Sequence, residues 1–159
     1  LSDVENLMTQ LERSGKRLGC DYLVTTSRRT PEAVVQFLKV QLRNHPRCQL
    51  CVIATEDRRP EVVPGMMALA DYLIVTEDSL SMISEALSSG KHVIVVKMGR
   101  NALPAKHIRF QETLKNEWGI PIVESAKLSD ALERGVSPSF HDRFERERSK
   151  IQEKVEALF

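Results

Sequence analysis

A doubly wound α/β fold with a mainly parallel sheet is predicted for this chain of 159 residues. Three observations predict it. Short apolar runs alternate with amphipathic stretches along the chain. The clearest runs, Tyr72–Thr76 and His92–Val96, have almost no polar break, as expected of strands buried on both faces of a parallel sheet. Gly, Pro or polar clusters punctuate the junctions. The composition fits a globular domain, with 42% hydrophobic and 28% charged residues. A chain of this size buries roughly 70% of its unfolded surface.

The elements follow in order. Val4, Leu7, Met8, Leu11 and Leu18 recur near one face and predict a helix over 4–18, ended by Gly19. Asp21–Thr26 reads as a strand, and Ser27–Pro31 as a loop with Pro31 placed for the first helical position. A helix follows to about Arg43 with Val34, Val35, Leu38 and Leu42 inward, and Asn44–His45–Pro46 breaks it. Leu50–Ile53 is a strand, Thr55–Pro60 a polar loop, and a short helix spans about 63–70. After the strand Tyr72–Thr76 come a loop at Glu77–Ser79 and a helix over 80–88 closed by Gly90. The strand from His92 leads into a loop at Lys97–Asn101 and a helix over about 105–117 closed by Gly119. Ile120–Val123 is a short strand that Pro121 assigns to a sheet edge. Leu128, Ala131 and Leu132 mark a short helix. Charged residues alternate from about Ser139 to Phe159, and Phe140, Phe144, Ile151 and Val155 fall near one face, predicting a long C-terminal amphipathic helix.

Charge and cysteine content narrow the function classes. The balance of 23 Lys+Arg against 22 Asp+Glu offers no electrostatic case for nucleic acid. No stretch approaches the roughly 18 apolar residues of a membrane span. The acidic first residues do not form a signal peptide. The chain does not begin with Met and is expected to be a piece of a longer protein. Three cysteines, an odd and sparse set, point to a reducing, cytoplasmic setting. Cys48 and Cys51 form a C-x-x-C entering an apolar strand, where residues three apart face opposite sides. They are read as small hydrophobic fillers. No His and acid set has metal-ligand spacing, and no metal is expected.

Doubly wound sheets bind ligands at the carboxyl ends of their strands, which selects the loops after Thr26, Thr76 and Val96. In the second, Asp78 or Ser79 can cap a helix whose first-turn amides attract an anion. Ser81 adds a hydroxyl, and Glu85 lies one turn further on the same face, placed for ribose hydroxyls. The alternative is plain capping with a surface acid. In the first loop, Ser27, Arg28, Arg29 and Thr30 offer two hydroxyls and two guanidiniums suited to phosphate oxygens. If both loops serve one ligand, it is a diphosphate carrying a ribose. There is no G-x-G-x-x-G. Ser88–His92 only superficially resembles a P-loop, since it sits between a helix end and a strand. His45 and His141 are read as surface residues. His107 and Arg109 stand near the third loop, within reach of a ligand.

These residues resemble a known family. The run Tyr22–Pro31 looks like the "TxSRRTP" segment of the mitochondrial fission protein-like family, whose bacterial members are described as glycosyltransferases or nucleoside-diphosphate-sugar epimerases. Ala70–Ala86 is similar to its "ADxxxVTxDSxSMxxEA" segment. Gly90–Lys91–His92–Val93, with Lys106 and Arg109–Phe110, resembles its "GKPV…K…RF" stretch, with His92 where Pro is expected. The resemblance implies the C-terminal domain of a GT-B glycosyltransferase, a Rossmann-like domain that binds a nucleotide-sugar donor. It implies that residues 1–159 form one domain of a two-domain protein, lacking an acceptor domain and a first strand. In that class the helix amides hold the diphosphate and the Glu holds the ribose, which maps here to Thr76–Glu85. Glu77–Asp78–Ser79 replaces the usual Gly-rich turn and puts two acids near the diphosphate.

The leading expectation is a donor-binding half of a metal-independent sugar transferase, inactive alone, with its base in the missing domain. The donor residues are then Ser27, Arg28, Arg29, Thr30, Asp78, Ser79, Ser81 and Glu85, with Lys97 as a further phosphate contact. The ligand is a nucleotide-diphosphate sugar, a UDP-sugar among the options, acting as substrate with no separate cofactor. Peripheral membrane contact by the whole protein stays open. The alternatives are a non-catalytic fission-type scaffold that keeps the fold, a nucleotide-sugar epimerase, and a flavodoxin-like module with another ligand.

Overall fold

Among the described residues the short apolar runs form strands and the amphipathic stretches form helices. The computed structural model describes residues 1–57, 59–99, 104–135, 145, 146 and 149. Their order is α1 (Ser2–Leu18), β1 (Tyr22–Thr25), α2 (Glu32–Leu42), β2 (Cys48–Val52), α3 (Val62–Leu69), β3 (Tyr72–Thr76), α4 (Leu80–Ser88), β4 (His92–Lys97), α5 (Ala105–Asn116), β5 (Ile122–Glu124), a 3-10 turn (Ser125–Lys127) and α6 (Leu128–Arg134). All strand pairs are parallel, and the helices that alternate with them make this a Rossmann-like α/β fold of the doubly wound type. The strands pair as two sheets, β1–β2 and β3–β4–β5. The long helix expected over 139–159 lies outside the described residues, as does His141, apart from Glu145, Arg146 and Ser149.

The chain divides into two compact units, Leu1–Ala70 with Ser125–Glu133, and Asp71–Glu124 with the chain from Arg134 onward. In the first, Met8, Leu38 and Leu42 form a buried cluster on which Val4, Leu11, Val24 and Phe37 pack. Helix α1 carries acids in its first turn and bases in its last, which suits its dipole. It ends at Gly19, whose φ of 68° lets its N–H reach Gly15 O at 3.0 Å. Leu18, expected on the buried face, is 49% exposed, because the helix terminates there. His45 is no surface residue. Its ring lies 5.6 Å from that of Tyr22, and its Nδ1 accepts the Arg47 N–H.

The C-x-x-C behaves differently from a regular strand. Tyr22 pairs with Cys48 and Leu23 with Leu50, so β2 carries one extra residue at Gln49. This bulge shifts the facing by one. Cys48 and Cys51 therefore both pack on the Met8–Leu38–Leu42 cluster instead of facing opposite sides. Burial pushes both thiols above the ordinary cysteine range, the setting of fillers.

In the second unit β4 is central, and Val93, Ile94, Val95 and Val96 are all fully buried. Each such side chain is worth about 1.5–3 kcal/mol relative to exposure. Val75, Val93 and Val95 meet Ile83, Ala86 and Leu87 of α4 and Leu114 of α5 in one cluster. β5 is the edge strand, as Pro121 requires.

One close approach in the first unit is tight enough to test. A Cβ on Gly15 would lie 2.2 Å from Tyr22 Oη and 2.8 Å from Arg47 Cδ. That hydroxyl donates to Leu11 O at 2.6 Å. Gly-to-Ala in a helix ordinarily gains about 1 kcal/mol. Here Gly15→Ala is expected to destabilise by a net ~1–2 kcal/mol in urea unfolding. In a Tyr22→Phe background the loss is expected to shrink, since the two sites share the contact.

Candidate functional site

In parallel sheets each strand hands over to a helix N-terminus at its carboxyl end, where unpaired amides gather. In the second unit β3 runs into α4 through Glu77 and Asp78. Ser79 is the N-cap residue, with its carbonyl accepting the Ile83 N–H at 3.0 Å. Its side chain makes no cap hydrogen bond, contrary to the capping expected. Ser79 is 4% exposed, and its hydroxyl stands 3.5 Å from that of Ser81. Among the described residues no side-chain cap is therefore seen at the first turn of α4. Ser81 and Glu85 are both exposed, one turn apart.

The two acids before Ser79 part company. Asp78 is exposed, whereas Glu77 is buried. Glu77 Oε1 accepts the Met98 N–H at 3.0 Å, and Oε2 accepts the Gln111 Nε2–H at 3.1 Å. Only Asp78 stands on the exposed side of the turn. Lys97, the last residue of β4, is 3.5 Å from Glu124 at the matching end of β5. That surface pair is weak, about 0–1 kcal/mol, and gives way readily to a stronger anion. On α5, Arg109 is exposed and His107 is partly buried, with its Nδ1 buried and lacking a hydrogen-bond partner among the described residues. Ser88–His92 lies at the opposite, amino end of the strands. Gly90, Lys91 and His92 line a cavity of about 360 Å³ with Asp71 and Tyr72.

In the first unit the loop after β1 is closed by its own hydroxyls. Thr30 Oγ1 accepts the Ser27 N–H at 2.9 Å, and Ser27 Oγ accepts the Arg29 N–H at 3.1 Å. Ser27 and Thr30 thus shape the turn, and Arg28 and Arg29 are left exposed at its tip. Neither guanidinium has an ion pair among the described residues. Pro31 is the N-cap of α2, one position earlier than expected, and its carbonyl accepts the Val34 N–H at 2.9 Å. Arg59, in the loop after β2, is engaged. Its guanidinium and backbone N–H both bind Asp57.

The sequence reading missed two residues that build these loops. Thr26 N–H donates to Val52 O, and Thr26 Oγ1 accepts the Ala54 N–H at 3.0 Å. Glu77 N–H donates to Val96 O, and its carboxylate accepts the Met98 N–H. In a regular parallel ladder the second acceptor would be the backbone carbonyl. Each side chain takes its place one residue past the strand and lets the backbone turn away. The available signal was a buried-strand run ending on a polar residue.

The Mitochondrial fission ELM1 family matches residues 1–131 of this chain. The chain belongs to that family. It is 35% identical over 122 residues to "Mitochondrial fission protein ELM1" of Arabidopsis thaliana, aligning 77% of this chain with 27% of that protein. The chain therefore spans about a quarter of that relative's length. No solved structure gives a significant match. Among the described residues no helix is long and apolar enough to cross a membrane, and no group of three or more His, Cys, Asp or Glu is placed to hold a metal ion.

The Asp57–Arg59 fork decides which loop arginines are available. Hydrogen bonds from Arg59 hold the Asp57 carboxyl at about 2, below its ordinary 3.8. A depressed carboxylate stays ionised until the pH falls through its own midpoint. The Asp57 carboxylate is thus ionised and able to pair with Arg59 from neutral pH down to about 2. An NMR titration is expected to show that midpoint for Asp57, returning toward 3.8 in Arg59→Ala.

Proposed function

We propose that this chain binds a nucleoside diphosphate, as the donor-binding part of a GT-B-type sugar transferase within the ELM1 family. The observation that carries this reading is the start of α4. Its first-turn amides lack a side-chain cap beside the hydroxyls of Ser79 and Ser81, with Glu85 exposed one turn along. Such amides carry a partial positive charge suited to phosphate. Glu85 would accept from ribose hydroxyls, and Lys97 would leave Glu124 for phosphate. Asp78, on the exposed side of the turn, would face the sugar. Separately, the exposed Arg28 and Arg29 are proposed as phosphate contacts on the first unit, held by a loop that Ser27 and Thr30 close. The sugar donor is substrate here, and the chemistry needs residues of the longer protein.

A second reading is a fission-type protein that retains the fold without turnover. It draws support from the relative in Arabidopsis thaliana, which is named for mitochondrial fission. Both readings can include ligand binding, and they differ in whether the whole protein transfers a sugar.

Calorimetric titration with UDP, GDP, CDP and ADP tests the binding site. One nucleotide is expected to bind in the micromolar to millimolar range. Glu85→Ala is expected to weaken it about tenfold, the worth of a charge-assisted hydrogen bond. If the folded chain binds none of the four, the donor reading fails and the scaffold reading takes its place.

A further inference from the structure

Glu77 has three structural attachments and no assigned role. Its backbone N–H continues the β3–β4 ladder through Val96 O at 3.0 Å. Its Oε1 receives the N–H of Met98, the first residue past β4, at 3.0 Å. Its Oε2 receives the side-chain amide of Gln111, on α5, at 3.1 Å. The side chain is only 7% exposed. A carboxylate is costly to bury unless its oxygens are hydrogen-bonded, as both are here. Here it links the turn that opens α4, the segment that leaves β4, and the helix that follows.

We infer that Glu77 is a positioning residue that holds the Met98 backbone and α5 to the turn preceding Ser79, and so sets the geometry of the anion site at the start of α4. The inference rests on the nucleoside-diphosphate reading above. The physical ground is that backbone pairing between the turn and the segment leaving β4 stops at the Glu77 N–H bond to Val96 O among the described residues, so Met98 is held to the turn by the Glu77 side chain. Gly99, the next residue, is exposed with φ of 106°, a conformation other residues rarely adopt. The Glu77 carboxylate therefore ties Met98 to the turn where β4 has ended. Preorganised donors bind more tightly than donors that must first be ordered. The charge itself is not what the site needs, since a negative group would oppose an anion. A neutral group of the same shape would serve. Gln at position 77 can accept the Met98 N–H through its oxygen and donate its amide to Gln111 Oε1, once that side chain turns its amide over.

The test uses two variants and two measurements on the same chain. Glu77→Ala is expected to lose the protection of the Met98 amide in hydrogen exchange by about tenfold or more, the worth of one good hydrogen bond. It is also expected to bind UDP and inorganic pyrophosphate about tenfold more weakly. Glu77→Gln is expected to keep Met98 protection and to match or exceed wild-type affinity. A role in folding alone would lower thermal stability without this split between affinity and its rescue by Gln. Equal binding by wild type and Glu77→Ala overturns the positioning role. Weak binding by Glu77→Gln with Met98 still protected overturns it too, since the charge would then be the requirement. If the wild type binds neither probe, the nucleotide reading fails and takes the ligand half of this inference with it. Unchanged Met98 exchange in Glu77→Ala would separately overturn the tie itself.

Discussion

Parallel pairing is the constraint on which this structure depends. Two neighbouring strands that run the same way cannot be joined by a tight turn, so the chain must return across the sheet, here through a helix. Every strand carboxyl end therefore delivers the chain to a helix N-terminus, where amides lack partners. The loops after β1 and β3, and the segment after β4, are the proposed binding positions for that reason. The amino ends of β3 and β4 open instead on the cavity beside Tyr72 and His92.

The same constraint explains a device that occurs in both units. A strand that must stop pairing and turn into a helix leaves an amide on its neighbour without its usual acceptor. Thr26 and Glu77 each solve this one residue past their strand, with a side-chain oxygen standing where a backbone carbonyl would. Both side chains are 7% exposed, so the replacement is part of the packed interior. Glu77 goes further than Thr26, because a carboxylate has a second oxygen and reaches α5 through Gln111. An acid that looks unfavourable beside a phosphate in the linear sequence is in fact turned away from the solvent-facing side of the turn.

Polar side chains at these turns thus divide between building the loop and presenting groups at its surface. Ser27 and Thr30 bind one another's segment and shape the turn. Arg28 and Arg29 stand at its tip, while Arg59 is tied to Asp57. In the second unit Glu77 builds, Asp78, Ser81 and Glu85 are presented, and Lys97 shares its charge with Glu124. Family membership joins this chain to a mitochondrial fission relative, and the strand ends are where ligand chemistry would be found.

Much of the fold is legible in the residues because its signals are local. The unbroken apolar run of β4, the Pro at the edge strand and the Gly closing α1 each carry their own physical reason in a few neighbouring residues. The helix over 80–88 and the spacing of Ser81 and Glu85 were readable in the same way. What the linear pattern could not decide depends on pairing between distant segments. The extra residue at Gln49 shifts the facing of Cys48 and Cys51 only because β1 pairs with β2 in that register. His45 is partly buried because Tyr22 is folded against it. Glu77 is turned inward because Met98 and Gln111 supply donors from 21 and 34 residues away. Periodicity settles which residues form strands and helices, since that is chosen within a few bonds. Only the tertiary structure decides which polar side chain faces solvent and which completes the sheet, since that depends on donors that arrive from elsewhere in the chain.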